Sequence, residues 1–258
     1  MITSTQNPKI KLIRALQGRA KERRESGAFL AEGVRLVKDA LLANWPFRFV
    51  LYDETLTERG KLLVESFRLH GIEVEEIASN LMKSLSDTET PQGIIAVLND
   101  TRFPIPNLPT FILIPDQIRD PGNLGTLLRS AAAAGVQAVI IPPETTDAFA
   151  SKVIRSGMGA HFRLPIHLMT WQEIRRFSDS VIRRVYLADM DGVSCWDLDL
   201  CAPLILIVGG EAEGASDSAR KLATQKIKIP MHGNVESLNA GAAGSVLMFE
   251  VMRQRSRS

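Results

Sequence analysis

Short runs of consecutive apolar residues, separated by longer segments with helical spacing, dominate the C-terminal part of this 258-residue chain. Strands without a polar side must be covered on both faces, and a parallel sheet with flanking helices provides that cover. The sequence therefore predicts an α/β domain built on a parallel sheet. The runs that predict its strands occupy positions 111–114, 138–141, 185–188, 204–208 and 226–229.

The N-terminal part also alternates between strand-like and helix-like runs, and it predicts a second, smaller α/β unit. Its predicted strands lie at 28–31, 47–52, 74–77 and 94–98, and its predicted helices lie at 9–16, 34–42 and 62–70.

Three prolines among polar residues mark a segment between the two parts. Prolines at this density prevent regular strand pairing and stiffen a connector. The sequence therefore predicts domains over 1–98 and 110–258, joined by a linker over 99–109. An ordinary long loop inside a single domain is the alternative.

The formal net charge is only +2, but basic residues gather near both ends of the chain. Basic ends on a nearly neutral body suit a polyanion such as RNA, and a merely solvated surface explains them equally well. The residues concerned are Lys9, Lys11, Arg14, Arg19, Lys21, Arg23 and Arg24, followed by Arg253, Arg255 and Arg257.

The two cysteines, Cys195 and Cys201, form no CxxC pair and have no neighbouring histidine, so we predict no metal site. Reduced thiols are the default expectation, and a disulfide is the alternative. The N-terminus lacks an apolar signal region, and no stretch reaches the roughly 18 apolar residues of a membrane span. These features predict a cytoplasmic protein with no membrane partner.

A first polar segment follows the predicted strand over 111–114, at the sheet edge where ligands of α/β proteins collect. It contains Asn-Leu-Gly at 123–125 and an arginine at position 129. We expect Asn123 to cap the next helix and Gly135 to end it. Gly125 lies one turn before Arg129, which predicts bare backbone and room for a phosphate or sugar beside the guanidinium. A surface arginine on an amphipathic helix is the alternative.

A second segment, Gly209-Gly210-Glu211, follows a buried strand directly. Glycine lets backbone groups approach a ligand closely. The segment has neither the GxGxxG order nor a P-loop lysine, so it supports neither a dinucleotide nor a nucleoside triphosphate site.

A third segment, Ile-Pro-Met-His-Gly-Asn-Val-Glu-Ser-Leu-Asn at 229–239, precedes a helix that we expect to begin near Ser237. The first turns of this helix consist almost entirely of small residues. Small side chains permit close contact with a flat ligand or with another backbone, and helix packing without a ligand is the alternative.

Together and in this order, the three segments resemble the motifs of the SpoU family in the SPOUT superfamily, whose members are RNA 2′-O-ribose methyltransferases. The N-terminal part resembles the substrate-binding domain attached to this family, through Thr3-Ser4-x-x-Asn7-Pro8 and Phe29-Leu30-x-Glu32-Gly33. The resemblance implies a SPOUT domain with a trefoil knot, preceded by a small RNA-binding fold of ribosomal-protein type.

The resemblance also implies S-adenosylmethionine as the methyl donor and a homodimer whose active sites form where two knots meet. By motif position, the residues implied to contact the donor are Gly209, Gly210, Ile229, Met231, Leu238, Leu187 and Ala188. The residues implied to act in catalysis are Arg129, Asn123, Glu211, Ser237 and Asn239. An arginine has a pKa above about 12 and stays protonated, so we expect Arg129 to clamp the target phosphate rather than to accept a proton.

Other functions compete with this interpretation. A SPOUT enzyme that methylates a base nitrogen would lack the pattern of Asn123 and Arg129 with Ser237-Leu238-Asn239. A non-catalytic RNA-binding or ribosome-assembly factor would use the basic N-terminal helix equally well, but it would have no reason to keep the whole set of Arg129, Glu211 and Asn239. We favour ribosomal RNA over transfer RNA as the substrate, because minimal transfer-RNA ribose methyltransferases of the family usually lack such an N-terminal domain.

Overall fold

The computed structural model describes residues 1–211, 214–233 and 237–256. Arg257 of the basic C-terminal cluster and positions 234–236 of the third segment lie outside the described residues. The chain divides into two compact units. The N-terminal unit contains Met1–Thr101 together with Phe149–Phe162, and the C-terminal unit contains Arg102–Ala148 and the chain from Arg163 onward. The domain ranges and the linker stay predictions of the sequence.

Helices and strands alternate throughout the chain. The first are α1 (Pro8–Gln17), α2 (Ala20–Ser26), β1 (Ala28–Glu32), α3 (Val34–Leu42), β2 (Phe47–Tyr52), α4 (Glu58–Leu69), β3 (Val74–Glu76), α5 (Ser79–Leu85) and β4 (Ile94–Asn99). They are followed by β5 (Phe111–Asp116), α6 (Pro121–Ala133), β6 (Ala138–Ile141), α7 (Ser151–Gly157), a 3-10 turn (Ala160–Phe162), β7 (Ile166–Leu168), α8 (Trp171–Val181), β8 (Val185–Ser194), β9 (Leu204–Gly209), α9 (Asp217–Leu222), β10 (Gln225–Lys228) and α10 (Ala240–Arg255).

The sheet of the N-terminal unit has the strand order β1-β4-β2-β3, with antiparallel pairs except for β2 and β3. Helix α1 packs on its core, because Ile10, Ile13 and Leu16 recur at helical spacing and are fully buried. Asn7 caps this helix by accepting a hydrogen bond from the N–H of Lys9 over 2.9 Å. Helix α7 contacts β1, which places its segment in this unit.

The sheet of the C-terminal unit has the order β10-β8-β9-β5-β6-β7 in the described part of the chain, and every neighbouring pair is parallel. The predicted parallel sheet is therefore confirmed. At its centre, β5 and β9 align from Phe111 opposite Leu204 to Asp116 opposite Gly209. These two strands are buried almost along their whole length, as their lack of a polar side requires.

Strand β8 continues beyond its apolar run, and its pairing with β10 is interrupted in the middle. It pairs with β10 up to Leu187 and again from Val193, so residues 188–192 protrude from the sheet. Glycine at position 192 allows β8 to resume its pairing with β10, because a Cβ there would lie 2.5 Å from the backbone nitrogen of Ile227. The sheet thus carries a bulge at its carboxyl edge.

Most of the predicted elements are confirmed, with shifts at their ends. The predicted bounds of α3, β2 and β6 agree with the structure, while α4 begins earlier and β8 ends later than predicted. The sequence did not indicate α2, α5 or β7, because elements of at most seven residues carry little periodicity.

The basic residues near the two ends divide into structural and exposed groups. Arg23 is buried and donates to the carbonyl of Leu16 over 2.6 Å. Lys9 forms an ion pair with Glu73 over 2.5 Å, and Arg255 donates to three backbone carbonyls. These three cations stabilise the fold, so binding of a polyanion is left to the exposed ones. At the N-terminus the exposed residues are Lys11, Arg14, Arg19, Lys21 and Arg24.

None of the helices within the described ranges has the length and apolar character needed to cross a bilayer. The described residues also contain no cluster of three or more histidine, cysteine or carboxylate groups arranged to hold a metal ion. Cys195 and Cys201 are both free thiols. The trefoil knot stays an expectation from the family resemblance.

Candidate active site

A cavity of about 300 Å³ opens at the carboxyl ends of β8 and β9. Ligands of parallel α/β sheets bind at this edge, where the loops diverge. Its lining is mostly apolar with a few charged groups, the composition typical of a cofactor site. The apolar lining includes Val208, Ile227, Ile229, Met231, Leu238, Ala240, Ala243 and Leu247, and the charged lining includes Asp189, Glu211, Arg220 and Lys228.

Most of the residues predicted to contact the methyl donor line this cavity. They are Ala188, Gly209, Gly210, Ile229, Met231 and Leu238. Leu187 lies apart from them, because it is only 1% exposed and packs in the core of the sheet. Direct contact with a donor stays a prediction for the whole set.

Gly209 and Gly210 form the turn that leads from β9 to the cavity. A Cβ on Gly209 would lie 2.7 Å from the backbone nitrogen of Ala215, and a Cβ on Gly210 would overlap the carbonyl oxygen of Gln117. Either side chain would have to displace backbone atoms. Glycine at both positions therefore lets these loops approach each other and leaves the cavity open.

The protruding part of β8 forms another wall of the cavity, through Ala188, Asp189 and Met190. This wall exists only because the pairing of β8 with β10 is interrupted at that point. No sequence motif pointed to Asp189 as a cavity residue, although an acid directly after an apolar run was a usable signal.

Asp189 is the centre of a small charged cluster. Its carboxylate accepts a hydrogen bond from the N–H of Asp191 over 3.0 Å and pairs with Lys226 at 3.0 Å and Arg220 at 3.3 Å. Burial acts to raise the pKa of Asp189, but the N–H donor and the two cations outweigh it and place the pKa below its ordinary value. Asp189 is therefore ionised at neutral pH.

Three polar side chains from three loops meet beside the cavity. Asn239 donates to Glu211 Oε1 over 2.6 Å and to Asn123 Oδ1 over 2.8 Å. Asn123 donates to the same Glu211 oxygen over 2.8 Å, and the backbone N–H of Ala240 does so over 3.2 Å. One carboxylate oxygen thus accepts three hydrogen bonds, which fix it between the first turns of α6 and α10. We call Asn123, Glu211 and Asn239 the polar cluster.

Helix α6 begins at Pro121, and its N-cap is Asp120 rather than Asn123. The Asp120 carboxylate accepts a hydrogen bond from the backbone N–H of Asn123 over 2.8 Å. The predicted capping role of Asn123 is wrong, because Pro121 is suited to the first helical position and fixes the start of the helix there. The Asn123 side chain is therefore available for the polar cluster. The predicted stop at Gly135 is confirmed by its φ of +77° just after the helix.

Helix α10 begins at Ala240, three residues after the predicted start at Ser237. Its N-cap is Asn239, whose side-chain oxygen accepts a hydrogen bond from the N–H of Ala242 over 3.2 Å. Asn239 therefore acts in both the helix cap and the polar cluster. Ser237 precedes the helix and lines the cavity.

The small residues of α10 lie on two faces of the helix, one packed against α6 and one facing the cavity. On one face, Gly244 lets the helix pack against α6, because a Cβ there would overlap the side chain of Leu127 and lie 3.2 Å from Val208 Cγ2. On another, Ala240 and Ala243 line the cavity. Close helix packing is therefore confirmed at Gly244, while contact of Ala240 and Ala243 with a ligand stays a prediction.

A second cavity of about 220 Å³ adjoins the first. The two share Gly210, Glu211, Gly214 and Ala240 as lining residues. The remaining lining comprises five residues, four of them with polar side chains. It consists of Gln117, Ile118, Arg119, Asp120 and Asn123.

Arg129 lies apart from the polar cluster within one chain. It is exposed on α6, six residues or about 9 Å along the helix from Asn123, and it lines neither cavity. Within the described residues it forms no hydrogen bond or ion pair. Gly125 is buried, so the predicted bare backbone beside the guanidinium is wrong. The reason is that α10 packs on this part of α6.

Asp116 ends β5 as a fully buried carboxylate. Its Oδ2 accepts a hydrogen bond from the backbone N–H of Ser216 over 2.6 Å, while Oδ1 has no partner among the described groups. Burial raises the pKa of Asp116 above its ordinary value, although the bond from Ser216 acts in the opposite direction. The Asp116 side chain therefore links the carboxyl end of β5 to Ser216, the N-cap of α9.

Comparison with known proteins places this site in a family. Residues 110–249 match the SpoU rRNA Methylase family, and residues 7–96 match the MRM3-like substrate binding domain. The 23S rRNA (guanosine(2553)-2′-O)-methyltransferase RlmP of Bacillus subtilis is 32% identical and aligns over 97% of this chain and 98% of its own. The 23S rRNA (uridine(2479)-2′-O)-methyltransferase of Streptomyces viridochromogenes is 31% identical, over 98% of this chain and 92% of its own.

A solved structure shows the same fold along the chain. The SpoU methyltransferase AviRb from Streptomyces viridochromogenes, in complex with the cofactor AdoMet, has a TM-score of 0.87 and 30% sequence identity. The likeness covers 97% of this chain and 99% of that one.

A parallel sheet with two adjoining cavities at its carboxyl edge, together with these relatives, defines a methyltransferase. The chain belongs to the SpoU rRNA methylase family. The resemblance seen in the three loop segments is thereby confirmed.

Proposed function

We propose that this protein transfers a methyl group from S-adenosylmethionine to the 2′-hydroxyl of a ribose in ribosomal RNA. The observation that carries this proposal is the polar cluster of Asn123, Glu211 and Asn239, which joins the donor-sized cavity to the second cavity. An apolar pocket that ends at fixed polar groups can hold a donor on one side and present a hydroxyl on the other.

The lining of the first cavity fits S-adenosylmethionine. Ile229, Met231 and Leu238 offer apolar surface for an adenine ring, and Gly209 and Gly210 let backbone line the cavity without a side chain in between. When bound, this cofactor supplies a methyl group carried by a positively charged sulfur. The same donor is present in the solved relative AviRb.

The residues of the chain position the acceptor. Methyl transfer needs the acceptor oxygen in line with the bond that breaks, so fixing that geometry supplies much of the acceleration. The polar cluster holds the first turns of α6 and α10 together at the boundary of the two cavities, and Arg119 adds a cation to the second one. We assign Asn123, Glu211, Ser237 and Asn239 to substrate positioning.

Arg129 clamps a phosphate of the target nucleotide in this proposal. Since its guanidinium stays protonated, it does not take the proton of the hydroxyl. That proton passes to the clamped phosphate, to water or to a neighbouring polar group as the oxygen bonds to the methyl carbon and the carbon–sulfur bond breaks. Because Arg129 lines neither cavity of its own chain, we propose that a second copy of the chain supplies it. Helix α10 offers the surface for that homodimer, because Val246, Phe249 and Met252 are 41%, 42% and 38% exposed on it.

The N-terminal unit binds the RNA. It carries the MRM3-like substrate binding domain and the exposed cations of α1 and α2. Ribosomal RNA as the substrate follows from the named activities of the relatives from Bacillus subtilis and Streptomyces viridochromogenes. We place the protein in the cytoplasm, where bacterial ribosomal RNA is modified.

The direct test is to map ribose methyl groups across cellular RNA with and without this protein. We expect one ribosomal nucleotide to lose its 2′-O-methyl group and to regain it when the purified protein and S-adenosylmethionine are added. A modification map that does not change, together with calorimetry that detects no binding of S-adenosylhomocysteine, would contradict the proposal.

A further inference from the structure

We propose that Arg220 and Lys228 bind the α-carboxylate of the methyl donor and so fix the direction in which the donor lies in the cavity. This inference rests on the proposed function, because it takes the first cavity to be the donor site. The donor carries a sulfonium, an ammonium and a carboxylate group. Only the carboxylate is negative, so the distribution of charge along the cavity wall determines where that end goes.

The charged residues of the cavity lie on different walls. Arg220 and Lys228 belong to α9 and β10, whereas Glu211 belongs to the polar cluster at the start of α10. A carboxylate is attracted to the first wall and repelled from the second. The positive sulfonium is favoured near Glu211, which is also where the acceptor must approach.

The guanidinium of Arg220 is held on two sides. Its Nε donates to the carbonyl of Ala215 over 3.2 Å, and its Nη1 donates to Asp189 over 3.3 Å. Its Nη2 lies beside Gly214, since a Cβ built on this glycine would be 3.3 Å from Nη2. In the part of the chain that the structure describes, Nη2 donates to no protein group. A planar guanidinium fixed in this way is suited to a carboxylate.

The cluster around Asp189 does not neutralise this wall. One carboxylate faces two cations there, since Asp189 pairs with both Arg220 and Lys226. Asp191 approaches Lys226 only to 3.9 Å, and its side chain is 88% exposed, so solvent screens its charge. Lys228 adds a further cation that forms no ion pair within the described residues. The wall therefore keeps a positive excess.

Calorimetry with two ligands tests this assignment on the full-length protein. One ligand is S-adenosylhomocysteine, and the other is its decarboxylated analogue, which lacks only the carboxylate. We expect the wild-type protein to bind S-adenosylhomocysteine about tenfold or more tightly than the analogue, as hydrogen bonds to charged groups provide. We expect Arg220→Gln to remove most of that preference by weakening S-adenosylhomocysteine alone, and Lys228→Gln to reduce it.

Lys221→Gln is the matched control, because it removes a cation from the same helix at an exposed position outside the cavity. It should leave both affinities unchanged. Equal affinity of the wild-type protein for the two ligands overturns the assignment, and this arm requires no variant to fold. An equal loss for both ligands in Arg220→Gln also overturns it. Failure of the wild-type protein to bind either ligand overturns the proposed function as well.

Discussion

The side-chain amide of Asn239, the N-cap of α10, donates a hydrogen bond to the Glu211 carboxylate over 2.6 Å. One residue thus starts a helix and holds the acid that follows the neighbouring strand β9. Asn123 joins the same oxygen from the first turn of α6. Hydrogen bonds therefore join three loops that are far apart in sequence. We expect substitutions in the polar cluster to have non-additive effects on activity.

The first prediction concerns the two amides of the polar cluster. Asn123→Ala and Asn239→Ala should each lower the rate of methyl transfer about 100-fold, the typical loss when one positioned polar group is removed. The double variant should be little slower than either single one, because both residues act on the same carboxylate. Initial rates of RNA methylation measure this, with Asn80→Ala, an exposed position on α5, as the control. Losses that multiply would show that the residues act separately.

The second prediction concerns Arg129. Arg129→Ala should abolish methyl transfer and leave the affinity for S-adenosylhomocysteine unchanged, because the side chain lines neither cavity. Arg175→Ala, which removes an exposed arginine from α8, should change neither.

Mixing two inactive proteins tests whether Arg129 acts across a dimer. Co-refolding Arg129→Ala with Glu211→Ala should restore roughly a quarter of the wild-type rate, because half of the random dimers then contain one complete site out of two. A mixture that stays inactive, in dimers shown to have exchanged subunits, would place Arg129 and Glu211 in the same chain's site.

The third prediction concerns the pH dependence of stability. Burial raises the pKa of Asp116 above its unfolded value. A group with a raised pKa in the folded state contributes full stability below its unfolded pKa and loses that contribution as the pH rises through the folded value. Asp116→Asn is neutral throughout and keeps an oxygen for the N–H of Ser216. Its free energy of unfolding relative to wild type should therefore rise as the pH increases from about 4, the unfolded pKa of an aspartate, towards neutral.

Urea unfolding of both proteins across this range gives the required difference, and acid effects shared by the two cancel. A difference that stays constant with pH, or that falls towards neutral pH, would show that Asp116 is not held with a raised pKa.

The fourth prediction concerns the contact between α10 and α6. Gly244→Ala places a methyl group against Cδ2 of Leu127, a fully buried side chain, and 3.2 Å from Val208 Cγ2. Overpacking costs about 1–3 kcal/mol, and the better helix propensity of alanine returns about 1 kcal/mol, so a net loss of stability is expected. Gly241→Ala is the comparison, because its Cβ would lie 3.1 Å from Asn239 Oδ1 and 3.2 Å from Thr126 Cβ, and it should disturb the contact between the helices less. Thermal unfolding that ranks the two in the reverse order would contradict this packing.

The sequence by itself determined the features that depend on neighbouring residues. Uninterrupted apolar runs predicted the parallel strands, and periodicity gave α3, β2 and β6 with the bounds that the structure has. The motif resemblance predicted the family. It also named Asn123, Glu211 and Asn239 as site residues, because each of them occupies a fixed position in one of the three motif segments.

Tertiary structure decided what depends on residues far away in the chain. Helix α10 packs on α6 and buries Gly125, and Asp120 takes the cap that leaves Asn123 for Glu211. The wall that carries Asp189 exists because the pairing between β8 and β10 is interrupted. Pairing between strands that are far apart in the chain leaves no signal in the local sequence. Which polar side chains share a cavity is fixed by packing over long sequence distances, so the sequence could name the groups but not their contacts.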